Sequence, residues 1–107
     1  MNRDKNLPLT ETVYYILLAL YEPAHGYIIM QRVEELSGGQ VRLAAGTLYG
    51  AIENLLNKGL ITAIPSDDVR RKVYAISQVG KQVLNADYQR MTYMLGVTAN
   101  ILKLEAK

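Results

Sequence analysis

Gly46-Thr-Leu-Tyr-Gly-Ala-Ile-Glu-Asn-Leu-Leu-Asn-Lys-Gly-Leu-Ile61 carries the pattern on which the fold turns. Leu48, Ile52, Leu55 and Leu56 recur at helical spacing, which places them on one face of a helix. Thr47, Tyr49, Gly50, Glu53, Asn54 and Asn57 fall on or near the other face. Lys58 suits the negative end of the helix dipole, and Gly59 stops the helix. The spacing therefore predicts a helix over residues 45–58, with a core side and a side rich in hydrogen-bonding groups.

Upstream, residues 9–21 read as a first helix. Leu9, Val13, Ile16, Leu17 and Leu20 share one face, while Tyr14, Leu18 and Tyr21 share another. A helix that is apolar nearly all round needs cover on more than one side. A single thin domain supplies one cover, so a partner subunit is expected to supply the second. Residues 22–26, Glu-Pro-Ala-His-Gly, form a turn, because proline cannot continue the helix. A second helix over residues 27–36 has Ile28, Ile29, Val33 and Leu36 as its apolar set, and Ser37-Gly38-Gly39 ends it. Val41, Arg42 and Leu43 alternate as a short strand.

Downstream, residues 60–64 and 72–77 alternate as two strands around a polar loop, residues 65–69, followed by Arg70 and Arg71. This is a hairpin with a cationic tip. Residues 78–104 form one long helix with Ser77 as N-cap, roughly 40 Å in length at about 1.5 Å per residue. Leu84, Tyr88, Met91, Leu95, Thr98 and Leu102 are spaced alternately four and three, with Met94, Val97, Ile101 and Leu104 alongside. Such a heptad-like stripe requires a partner helix. The chain divides into a flexible N-terminal arm (residues 1–8), a winged helix-turn-helix (residues 9–77) and a C-terminal dimerisation helix (residues 78–107).

The expected fold is mainly α with a small β-wing, a winged helix-turn-helix plus a long C-terminal helix. In that arrangement the second helix of the helix-turn-helix, residues 45–58, enters the DNA major groove. The composition agrees with a single globular domain: 107 residues, 50% apolar and 21% charged. The absence of cysteine excludes disulfides and thiolate chemistry and fits a reducing, cytoplasmic setting. One histidine, His25, gives no histidine-rich metal site; set in a Pro-Ala-His-Gly turn, it reads as a helix-start residue rather than a base. No paired-carboxylate, metal-ligand or phosphate-loop pattern occurs, so neither an enzyme nor a bound cofactor or metal is expected. The apolar run over residues 13–21 is too short for a bilayer, and residues 1–6 are polar, so no membrane anchor or signal segment is expected.

Gly46 to Ile61 resembles the recognition-helix signature of the PadR family of transcriptional regulators. The segment containing His25-Gly26-Tyr27 resembles that family's passage from first to second helix. Arg70-Arg-Lys-Val-Tyr74, followed by Ile76-Ser77 and Gly80, resembles its wing and the start of its last helix. The likeness covers residues 9–84, and the single C-terminal helix is similar to the family's short subgroup, which includes drug-responsive repressors. Ile29 departs from the pattern, standing where an acidic or polar residue is common. The resemblance implies a homodimer that represses transcription from an inverted-repeat operator and is released by a small molecule entering a hydrophobic channel at the dimer centre.

Thr47, Tyr49, Gly50 and Asn54 are the candidates for contact with bases or phosphates, the alternative being a solvated face with Tyr49 partly in the core. Arg70, Arg71 and Lys72 suit phosphate binding, or else a plain solvated turn diluted by Asp67 and Asp68; Arg3 and Lys5 are minor candidates for the same role. Tyr88, Met91 and Leu95, with Tyr14 and Tyr15 from the first helix, suit either a central effector pocket or a packed dimer core. The rival function is a winged-helix protein-interaction module without DNA binding, which would need neither the polar recognition face nor the cationic wing.

Overall fold

Thr10 starts the first helix, α1 (Glu11–Ala19), by accepting the Val13 N–H on its Oγ1 at 3.1 Å. The computed structural model describes residues 3–68 and 70–105. Met1, Asn2, Val69, Ala106 and Lys107, within the expected arm, wing loop and C-terminal helix, lie outside the described residues. After α1 come β1 (Ala24–His25), α2 (Gly26–Leu36), α3 (Ala45–Asn57), β2 (Ile61–Ile64), β3 (Val73–Ile76) and α4 (Gln78–Glu105).

α1 is shorter than expected at both ends. Its C-terminus is set by competition for carbonyls: Leu20 O accepts the Ile76 N–H at 2.8 Å, and Arg32 Nη1 donates to Ala19 O and Glu22 O at 2.9 and 2.7 Å. These bonds tie the end of α1 to the sheet and to α2, and the helix cannot run on. Ile16, Leu17 and Leu20 are fully buried, while Tyr14, Tyr15 and Leu18 are half-buried on the other side.

α2 and α3 both end in Schellman motifs. At the end of α3, the Leu60 N–H reaches Leu55 O and the Gly59 N–H reaches Leu56 O, both at 3.0 Å, with Gly59 at φ 73°. Leu60 and Leu55, both buried, supply the motif's apolar contact. The chain thereby passes straight from α3 into β2.

Three expectations are corrected. Val41–Leu43 is not a strand: the Val41 N–H is taken by Ser37 Oγ at 2.9 Å, and Ser37 Oγ itself donates to Glu34 O at 3.2 Å. A side-chain staple thus replaces a ladder. The third strand lies instead in the expected turn, where Ala24 and His25 pair antiparallel with Tyr74 and Val73 of β3. β3 also pairs with β2, giving the order β1-β3-β2. Leu36, expected in the core, is 53% exposed at the last position of α2.

α4 begins where the sequence places it. Ser77 Oγ accepts the Gly80 N–H at 2.9 Å and donates to Gly59 O at 2.6 Å, locking the helix start to the end of α3. Val83, Leu84 and Asp87 are buried against the domain, whereas every residue from 92 to 105 is exposed. The outer half of α4 projects, and the molecule measures 60 × 33 × 20 Å. None of the described helices is long and apolar enough to cross a membrane.

Candidate nucleic-acid interface

Leu48, Ile52 and Leu55 anchor α3 in the core at no more than 3% exposure each, and this fixes which residues turn outward. Thr47, Tyr49, Gly50 and Asn54 are all exposed. They divide between two depressions on either side of the helix, with Thr47 in neither. Tyr49 shares the first with His25, Gly26 and Tyr27 from the start of α2 and with Arg70, Arg71 and Lys72 from the wing. Gly50, Asn54 and Lys58 share the second with Asn6 and Pro8 of the N-terminal segment. Leu7, in the expected arm, packs against the core, so this segment is held beside α3.

Tyr49 is positioned by an absence. A Cβ on Gly26 would lie 2.5 Å from the Tyr49 hydroxyl, so only glycine at the first residue of α2 lets the phenol lie across that helix start. Tyr49 remains 52% exposed. It lies close enough to Tyr74 to help raise that phenol's pKa, although burial of Tyr74 is the larger cause. The N-cap residue of α2, His25, makes no side-chain hydrogen bond to the helix, and this helix start lies beside Tyr49 and the wing.

The wing cations are only lightly engaged. Arg70 Nε lies 3.7 Å from Asp68 Oδ1 with its side chain 91% exposed, a geometry of little energetic weight. Asp68 acts mainly on the backbone: its Oδ1 accepts the Arg70 N–H at 2.9 Å and its carbonyl accepts the Arg71 N–H at 3.0 Å. Asp68 therefore shapes the wing more than it neutralises it. Arg71 and Lys72 make no ion pair among the described residues.

A separate groove of about 470 Å³ runs between α1 and α4. Tyr14, Tyr15 and Met91 line it together with Leu9, Leu18 and Asp87. Tyr88 and Leu95 are not part of its wall; they are 54% and 68% exposed, Leu95 on the projecting half of α4. The Tyr14 pKa is raised by burial first, then by the Asp87 carboxylate and by Tyr88. Sequence patterning had no means of finding Asp87, a carboxylate 1% exposed beside the apolar stripe. Nothing in the local spacing of Lys58, Asn6 and Tyr27 marks that the tertiary fold places them in the depressions beside α3.

No curated protein matches the chain in sequence. Among solved structures, the chain is similar to a PadR family transcriptional regulator from Eggerthella lenta, at 25% identity, TM-score 0.68, covering 84% of this chain and 80% of that one. It is likewise similar to a PadR family transcription regulator from hypervirulent Clostridium difficile, at 25% identity, TM-score 0.67, covering 84% and 97%. RosR of H. salinarum, at 24% identity, shares the fold with TM-score 0.71 over 95% of this chain and 97% of its own. The model of the transcriptional regulator PadR-like family matches residues 14–86, which hold most of α1, the sheet, α2, α3 and the start of α4. The chain belongs to the PadR-like family of transcriptional regulators.

Proposed function

We propose that this regulator is a cytoplasmic repressor without enzymatic activity, that it binds an inverted-repeat operator as a homodimer, and that a small hydrophobic effector releases it. One observation carries the DNA-binding part. Tyr49 on α3, the uncapped start of α2 and the three cations of the wing converge on one depression beside the exposed face of α3. A helix face rich in hydrogen-bonding groups reads base edges, while a helix N-terminus and flanking cations hold phosphates. The exposed apolar outer half of α4 supports the homodimer, and the α1–α4 groove supports the effector. Selection of bound sequences from random duplex DNA tests the reading: an enriched palindrome is expected, and recovery of no preferred sequence would overturn it.

The wing and the recognition helix should respond differently to substitution. Replacing Arg70 and Arg71 by Ala should weaken binding to all DNA sequences alike, and flatten the salt dependence by about one unit of slope per lost phosphate contact. Affinity measured across a salt series checks this; an unchanged slope would detach the wing from DNA. Asn54→Ala or Thr47→Ala should instead cost on the order of 1–3 kcal/mol at one operator position and relax the preference there. A loss that is uniform over all sequences would reassign that residue to the DNA backbone.

A further inference from the structure

Glu53 is the one charged residue of α3, and it stands on the face turned away from the core. Leu48, Ile52 and Leu55 point inward, and the ridge opposite them is Gly46, Gly50, Glu53 and Asn57, spaced four, three and four. All four are exposed. The usual partner of a carboxylate on a helix surface is a cation one turn away. Glu53 has none: the residues three and four positions off are Gly50, Leu56, Tyr49 and Asn57, and Glu53 enters no salt bridge among the described residues. It also lies well past the first turn, where the helix dipole favours an anion.

The two glycines ahead of Glu53 are equally unexplained by the fold. A Cβ at Gly46 or Gly50 would meet nothing within 4 Å, and glycine inside a helix is less favourable than alanine. They leave the first two turns of the ridge without side chains, so the backbone of α3 can lie close to a surface set against it. Cations flank this ridge and are absent from it. Arg70, Arg71 and Lys72 stand beside Tyr49 in one depression, and Lys58 stands beside Gly50 and Asn54 in the other. A duplex seated with its phosphates over the two flanks presents base edges to the ridge, with Glu53 among them.

In that position the carboxylate loses water and needs a donor. In the major groove guanine shows N7 and O6, and thymine shows O4 and a methyl group, none of which donates. Adenine donates from N6, but its N7 acceptor lies beside that group and repels the second carboxylate oxygen. Cytosine donates from N4 with no acceptor next to it on the same base. Resting on the DNA-binding reading above, we propose that Glu53 is a specificity-determining residue, which accepts a hydrogen bond from the N4 amino group of one cytosine and disfavours the other three bases there. The flanking cations supply affinity for any duplex, and Glu53 subtracts from it wherever no donor faces the carboxylate.

The test is selection from random duplex DNA with the full chain as wild type, Glu53→Ala and Glu53→Gln, followed by titration of the selected duplex and of one unrelated duplex. Glu53 is exposed, so both variants keep the fold. The wild type should enrich a motif in which one base pair is fixed as C·G, and replacing that pair should weaken binding by about 5- to 100-fold. Glu53→Ala should lose the preference at that pair alone, and should bind the unrelated duplex more tightly than the wild type because a like charge facing the phosphates is gone. Glu53→Gln should move the preference at the same pair to A·T, since an amide pairs with adenine N6 and N7 together. An identical motif from the wild type and Glu53→Ala would leave Glu53 in solvent and overturn the proposal while keeping DNA binding. Loss of preference at every pair in Glu53→Ala would make its role structural and overturn the proposal too. A wild-type preference for A·T at the pair that Glu53→Ala releases would overturn the choice of cytosine. Recovery of no motif by the wild type would overturn the DNA-binding reading itself.

Discussion

Gly80→Ala is expected to cost about 3 kcal/mol or more of stability, at or above the usual range for overpacking, and Gly80→Val to prevent folding. A Cβ on Gly80 would overlap the Leu60 carbonyl oxygen and come within 2.8 Å of Ile76 Cγ1. The first obstacle is backbone and cannot rotate away. That carbonyl is already fixed, since it accepts the Ser77 N–H at 3.0 Å, and Leu60 itself is 1% exposed. Making room means lifting the start of α4 off the α3–β2 junction. The Ser77 bonds to Gly59 O and Leu60 O would then break together. For a domain whose total stability is on the order of 5–15 kcal/mol, that loss is a large fraction. Chemical denaturation followed by circular dichroism reads it directly. Gly46→Ala is the control, because its added Cβ meets nothing within 4 Å and a helical Gly→Ala change is neutral or stabilising. Equal midpoints for Gly80→Ala and the wild type would overturn the close approach.

The same junction shows what a sequence can and cannot disclose. Leu48, Ile52 and Leu55 announce the buried face of α3 because helical periodicity is local, and Ser77 announces the start of α4 because capping is local. β1 leaves no such mark. Two residues are too few to alternate, and Ala24–His25 is a strand only because β3, nearly fifty positions later, lies beside it. Val41–Leu43 gives the opposite error: the side chains alternate, but Ser37 Oγ occupies the N–H that a ladder would need. The candidate interface divides in the same way. Which residues of α3 face outward follows from its periodicity, whereas the seat of Tyr49 over Gly26 and its meeting with Arg70, Arg71 and Lys72 depend on tertiary contact. Asp87 was hidden for a related reason. A charged residue is by default assigned to solvent, and only the packing of α4 against α1 buries it.

If the proposed homodimer forms through α4, Leu95→Glu is expected to dissociate or unfold it, and to lower affinity for the proposed operator by about 10²- to 10⁴-fold, the range by which two linked contacts exceed one. The domain covers α4 only as far as Met91. Beyond it Tyr93, Met94, Leu95, Val97, Ile101, Leu102 and Leu104 are each more than 40% exposed. Several large apolar side chains along one helix exceed what a stable monomer shows to water, and burying them against the equivalent helix of a second copy is favourable at about 25 cal/mol per Å². Leu95, 68% exposed near the middle of that run, would carry a carboxylate into the contact. The charge must then lose its water without a partner, and separation of the subunits is the cheaper outcome. On the proposed inverted-repeat operator DNA binding would follow, because two recognition helices can meet grooves about one helical turn, roughly 34–36 Å, apart only while the subunits are joined. Light scattering and operator titration on the same sample check both steps. Leu36→Glu, an equally drastic change at an exposed leucine of α2, should leave the assembly intact and separates the α4 stripe from apolar exposure in general. A Leu95→Glu protein that stays dimeric and holds its operator as the wild type does would move the subunit contact elsewhere, and the outer half of α4 would then require some other cover.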